Sequence, residues 1–60
     1  MLKSDVVRIF GSISAIARAV DITPEAVVQW PDILPKRLQD RVIAAAVREN
    51  KLDDVLKLTA

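Results

Sequence analysis

The stretch from Ile13 to Trp30 constrains this chain most, because two segments of helical periodicity meet there across a break too short for an ordinary loop, Val20-Asp21-Ile22-Thr23-Pro24. Ile13, Ile16, Ala17 and Val20 recur at spacings of three and four, which gathers them on one face of a helix. Val27 and Trp30 do the same for a second helix. That helix opens with Thr23 as N-cap, Pro24 at the first helical position and Glu25 in the first turn, so its start is fixed by three independent preferences. Two short helices held at an angle, with their apolar faces turned toward each other, leave the second with a short polar face turned outward.

The bulk properties narrow the function classes. Sixty residues make one domain, 1–60, and a chain of this size buries only about 60% of its unfolded surface, so its core has to be economical. There is no cysteine and no histidine, which removes the disulfide, the thiolate metal site and the side chain best suited to proton transfer near neutral pH. An enzyme, a metal site and a cofactor are therefore not expected. Acidic pairs such as Asp53-Asp54 have no nucleophile or glycine-rich loop beside them, and near a helix start they already serve the helix dipole. The longest apolar run, Val42 to Val47, is far short of the roughly 20 residues of a membrane span, and no apolar leader follows Met1. The expectation is a cytoplasmic protein of the bacterial host cell with no membrane and no small-molecule ligand.

Apolar residues make up 52% of the chain, with Phe10 and Trp30 its two aromatics. The core is thus expected to be aliphatic, with those rings its bulkiest pieces. The net charge of +1 says less than its distribution. Residues 1–20 are net positive through Lys3, Arg8 and Arg18 against Asp5, and residues 33–48 through Lys36, Arg37, Arg41 and Arg48 against Asp40. Between them Asp21, Glu25 and Asp32 make the turn and second helix of the central pair negative. A phosphate-contacting surface would have to come from the flanking elements.

The remaining elements follow from start and stop signals. Ser4 reads as the N-cap of a first helix near Asp5 to Phe10, closed by Gly11 in a left-handed conformation. Ser12 caps a second helix, Ile13 to Val20. A third spans Pro24 to Trp30 and stops at Pro31. Pro35 suits the first turn of a fourth, running to about Arg48, with Asn50 as its stop. Leu52 to Leu58 reads as a fifth short helix, with a strand as the competitor because so few residues make a marginal helix. The fold class is all-α, five short helices. Leu38, Val42 and Ala45 are expected to pack on the first three. The apolar surface of helix four exceeds what one face needs. Ile43, Val47, Leu56 and Leu58 would either meet a second copy or be covered by the chain's own C-terminal segment.

The small Ala17 at the helix crossing, Val27 opposite, Trp30 as anchor and Asp21 where a positive φ is required make a helix-turn-helix. With Phe10-Gly11-Ser12, Ala17-Arg18-Ala19-Val20 and Ile22 through Trp30 in place, the chain resembles the Cro repressors of lambdoid phages and prophages, above all the wholly helical members. The likeness includes Met1-Leu2-Lys3-Ser4-Asp5, continues loosely through Leu34-Pro35, and fades beyond. It implies a λ-repressor-like fold and a transcriptional repressor that binds double-stranded operator DNA as a homodimer with the second motif helix in the major groove, the docking by which Cro proteins are generally known. Base readout then falls to Gln29, Val28, Glu25 and Pro24. Gln29 can pair bidentately with adenine, Val28 can meet a thymine methyl, and Glu25 can accept from cytosine N4. Phosphate contact falls to Thr23, Ser12, Ser14, Arg18, Lys36 and Arg37, with Arg41 a further basic candidate and Arg48 and Lys57 too remote. Each has a plainer reading. Thr23 and Ser12 are caps, Glu25 is a favourable charge at a helix start, Gln29 is a soluble side chain, and surface arginines are by default solvated. The alternative function is a helical protein-interaction module, antitoxin-like or a regulatory subunit, whose apolar C-terminal segment docks a partner.

Overall fold

A computed structural model describes residues 1–58 and shows five helices in sequence: α1 (Lys3–Phe10), α2 (Ile13–Val20), α3 (Pro24–Val28), α4 (Lys36–Arg48) and α5 (Leu52–Leu56). The all-α expectation stands, and the last segment is helix rather than strand. Among the described residues no helix is long and apolar enough to cross a membrane.

α1 starts two residues earlier than its side chains suggest. Its N-cap is Leu2 and not Ser4, which lies inside the first turn. The reason is tertiary. Leu2 is extended and pairs antiparallel with Ile33; the Lys3 N–H donates to the Asp32 carbonyl at 2.8 Å and the Leu34 N–H to the Met1 carbonyl at 2.9 Å. This pairing holds Leu2 in the β region, where its own carbonyl accepts the first helical bond from Val6. At the other end Gly11 takes φ +104° and ψ −36°, a positive φ outside the left-handed helical well, and its N–H closes on Val7. Glycine reaches that conformation without the Cβ penalty.

α2 is capped as its sequence dictates: the Ser12 Oγ accepts from the Ala15 N–H at 3.1 Å. It ends with Asp21 left-handed at φ 67°, ψ 48°, and the Ile22 N–H returns to the Ala17 carbonyl at 3.0 Å. The same closure recurs after α4, where Asn50 has φ 61° and the Lys51 N–H reaches the Ala46 carbonyl at 2.8 Å. In both, a residue tolerant of positive φ lets the following amide satisfy an orphan carbonyl.

α3 ends at Val28, short of the expected Trp30. Pro31 explains the loss. A helix through Trp30 would need an amide hydrogen at position 31 for the Val27 carbonyl, and proline has none. The Trp30 N–H bonds Val27 instead, three residues back, at 3.0 Å, which tightens the last turn. Pro35 likewise stands outside α4, as its N-cap, rather than in its first turn.

The core draws on every element: Val6 and Phe10 from α1, Ile16, Ala17, Ala19 and Val20 from α2, Val27 from α3, Leu38, Val42, Ala45 and Ala46 from α4, and Val55 from α5. Trp30 and Leu34, from the connector, complete it. It is aliphatic, as composition requires. The two rings are buried but lie at its margin, whereas the fully enclosed side chains are Ile16, Leu34, Val6, Val27, Val42 and Val55. Leu34 stood in the sequence only as part of a proline-bounded connector. Among the described residues no polar or charged side chain is buried.

α5 packs on α4 and α1. The C-terminal segment thus covers part of the apolar surface of α4, and Ile43 and Leu58 are half-buried against the chain's own core. Val47 and Leu56 stay exposed, at 59% and 45%.

Candidate DNA interface

α2 and α3 pack on each other, and the crossing leaves α3 with two unlike sides. Val27 is fully buried, and Trp30, three residues on, follows it inward. Thr23, Pro24, Glu25, Val28 and Gln29 are all exposed. Glu25, Val28 and Gln29 stand three and four residues apart, so they share one outward face of a single turn. Val28 is 53% exposed, a large apolar side chain in water at the centre of that face.

Thr23 carries out the structural role that its position suggests, since its Oγ1 accepts from the Ala26 N–H at 3.2 Å. Ser12 does the same at the start of α2. In each hydroxyl an acceptor site is used and the O–H remains a donor, so capping and an outward hydrogen bond are compatible. Ser14 and Arg18 lie on α2 one turn apart, both exposed.

At the start of α4, Pro35 supplies no side-chain cap, and among the described residues the Lys36 and Arg37 N–H groups have no acceptor. Two exposed basic residues thus open a 13-residue helix at its positive end. A shallow groove of about 240 Å³ joins this end to the motif. Ile22, Ala26 and Trp30 form one wall, Arg37, Leu38 and Arg41 the other. Arg37 and Arg41 are therefore beside α3. Arg48 is spent elsewhere: its guanidinium Nη2 donates to the Ala19 carbonyl and ties the end of α4 to the end of α2.

The structure also gives a role to Lys3, which sequence reasoning treated only as a charge. Its ammonium donates to the Val28 carbonyl at 2.9 Å and to the Trp30 carbonyl at 3.4 Å. One signal for this was present in the sequence. With Pro31 three residues beyond Val28, the nearest amide donor for that carbonyl is missing.

The four residues named for a dimer contact separate. Val47 lies on the last half of α4, about 15 Å along the axis from Arg37 at 1.5 Å per residue, and Leu56 ends α5. Ile43 and Leu58 are partly enclosed within the chain.

A family model described as DNA-binding transcriptional regulator Cro matches residues 2–48. The chain belongs to the Cro family of DNA-binding transcriptional regulators. No curated protein and no solved structure gave a significant match. The family match takes in α1 to α4, so the helix-turn-helix, the Lys3 contact and the basic start of α4 all lie inside it, while α5 lies outside. The family is a phage-associated group of regulators whose shared activity is DNA binding.

Proposed function

We propose that this Cro-family chain is an operator-specific repressor that binds double-stranded DNA as a homodimer, reading base edges in the major groove with α3. The observation that carries the reading is the division of α3. Val27 and Trp30 face inward, and Glu25, Val28 and Gln29 share the outer face and are exposed. A five-residue helix and its C-cap can offer few base contacts, and these three differ in chemistry: a bidentate amide for adenine, a methyl-bearing side chain for thymine, and a carboxylate for the cytosine amino group.

The negative charge of Glu25 costs affinity near phosphates and is offset by the flanking cations. Thr23, Ser12, Ser14, Arg18, Lys36 and Arg37 are the phosphate partners in this reading, with Arg41 added by its place in the groove beside α3. These contacts fix register and carry no sequence information. Val47 and Leu56 supply the exposed apolar part of the dimer contact, with Ile43 and Leu58 at its edge. Such a regulator works in the cytoplasm of the bacterial host, where the operator is.

Selection of bound duplexes from a pool with a randomised core, followed by sequencing, tests the reading. Enrichment of a two-fold symmetric site supports a dimeric reader. An enriched asymmetric site removes the dimer, and retention of DNA with no enriched sequence removes operator reading and leaves the protein-interaction module as the better account.

A further inference from the structure

The end of α3 presents a local problem in hydrogen bonding. Past Val28 the chain turns away through Gln29 and Trp30 to Pro31, so the Val28 carbonyl finds no amide donor in its own turn. Nor, among the described residues, does a backbone amide reach the Trp30 carbonyl. Both carbonyls are met by one ammonium from a different helix, that of Lys3, 25 and 27 residues away in sequence. The backbone of Lys3 is itself fixed by its N–H bond to Asp32 at 2.8 Å, just beyond the same turn.

We propose that Lys3 is a positioning residue for base readout: its ammonium, bridging the Val28 and Trp30 carbonyls, holds the end of α3 so that Val28 and Gln29 meet the base edges in register. The inference rests on the operator-reading function of α3 and adds to it a residue that touches no DNA. Its charge is turned toward carbonyls of the protein, so it differs in kind from Arg37, whose guanidinium stands beside the motif without an ion-pair partner among the described residues. A single-turn helix has little stiffness of its own, and contacts that read bases tolerate displacements of only about 0.5 Å. A charge-assisted bond to the last carbonyls also opposes the negative end of the helix.

The test compares Lys3→Met and Lys3→Arg with the parent chain. In the free protein, the ¹³C shifts of the Val28 and Trp30 carbonyls report the contact, and thermal melting reports the fold. With DNA, affinity for the selected operator duplex and for a scrambled duplex of equal length is measured at two salt concentrations. Lys3→Met is expected to move both carbonyl shifts and to weaken operator binding about tenfold, the scale of one charge-assisted hydrogen bond. Scrambled-duplex affinity and the salt slope should stay unchanged, and Lys3→Arg should restore operator affinity. A uniform loss on both duplexes with a smaller salt slope would make Lys3 a phosphate contact and overturn the proposal. So would unchanged carbonyl shifts, or a loss of operator affinity no larger than the drop in folded fraction. If the parent chain does not discriminate the duplexes, operator reading fails and the positioning role falls with it, while moved carbonyl shifts would still identify the contact.

Discussion

Asp21 donates its backbone N–H to the Ala17 carbonyl while itself left-handed at φ 67°. The relationship makes the turn: four residues after the small side chain at the α2–α3 crossing, the chain reverses its helical sense for one residue and Ile22 closes on the same carbonyl. Aspartate tolerates this region where a β-branched residue does not. Asp21→Val should therefore destabilise the protein by about 1–2 kcal/mol, and Asp21→Gly should leave stability equal or raise it by roughly 0.5 kcal/mol. Urea melts of both variants check this, and a neutral Asp21→Val would mean that the turn relaxes freely.

Ala17 is 2% exposed where α2 packs on α3. Enlarging it forces the two helices apart. Ala17→Leu is expected to cost about 1–3 kcal/mol by overpacking, and in a domain of this size that loss should lower the melting temperature by several degrees at least. An unchanged melting curve would show that the crossing has room to spare.

Arg48 joins α4 to α2 through the Ala19 carbonyl. Arg48→Met keeps much of the side-chain bulk and removes the donor, so its expected cost is about 1–2 kcal/mol, with DNA affinity per folded molecule unchanged. A loss of DNA affinity at intact stability would instead make Arg48 part of the binding surface.

Gln29 and Arg37 stand for two kinds of contact. Gln29→Ala should weaken operator binding by about 1–3 kcal/mol and relax preference at one base pair, whereas Arg37→Ala should weaken all sequences alike and reduce the salt slope by about 1. Fluorescence anisotropy against operator and scrambled duplexes separates these outcomes. Exchange of the two phenotypes would reverse the assignment of readout and phosphate contact.

Val47, 59% exposed on α4, is the sharpest probe of self-association. Val47→Asp should leave the fold intact and shift sedimentation on operator DNA from a two-protomer to a one-protomer complex. An unaltered two-protomer complex would move the dimer contact off this face.

Much of the fold was legible because its signals are local. Ser12, Thr23-Pro24 and Asn50 each act through the backbone within four residues, and the structure shows each in the role that its chemistry implies. Where the sequence misled, a distant partner had intervened. Ser4 yielded the N-cap to Leu2 because Leu2 pairs with Ile33, and a connector residue, Leu34, entered the core because the same pairing draws it inward. The early end of α3 was readable in principle from Pro31, since proline removes a donor one turn back. At the candidate interface, the outward face of α3 follows from spacing alone. The approach of Arg37 and Arg41 to it, and the turning of Lys3 toward Val28, depend on how α4 and α1 pack, which periodicity does not encode.

Whether α3 reads sequence is decided by the ratio of affinities for the selected operator and a scrambled duplex, taken at about 50 and 200 mM salt. Both affinities should fall steeply with salt while the operator remains preferred by at least about 10³-fold. Equal affinities for the two duplexes at both concentrations would contradict readout by α3.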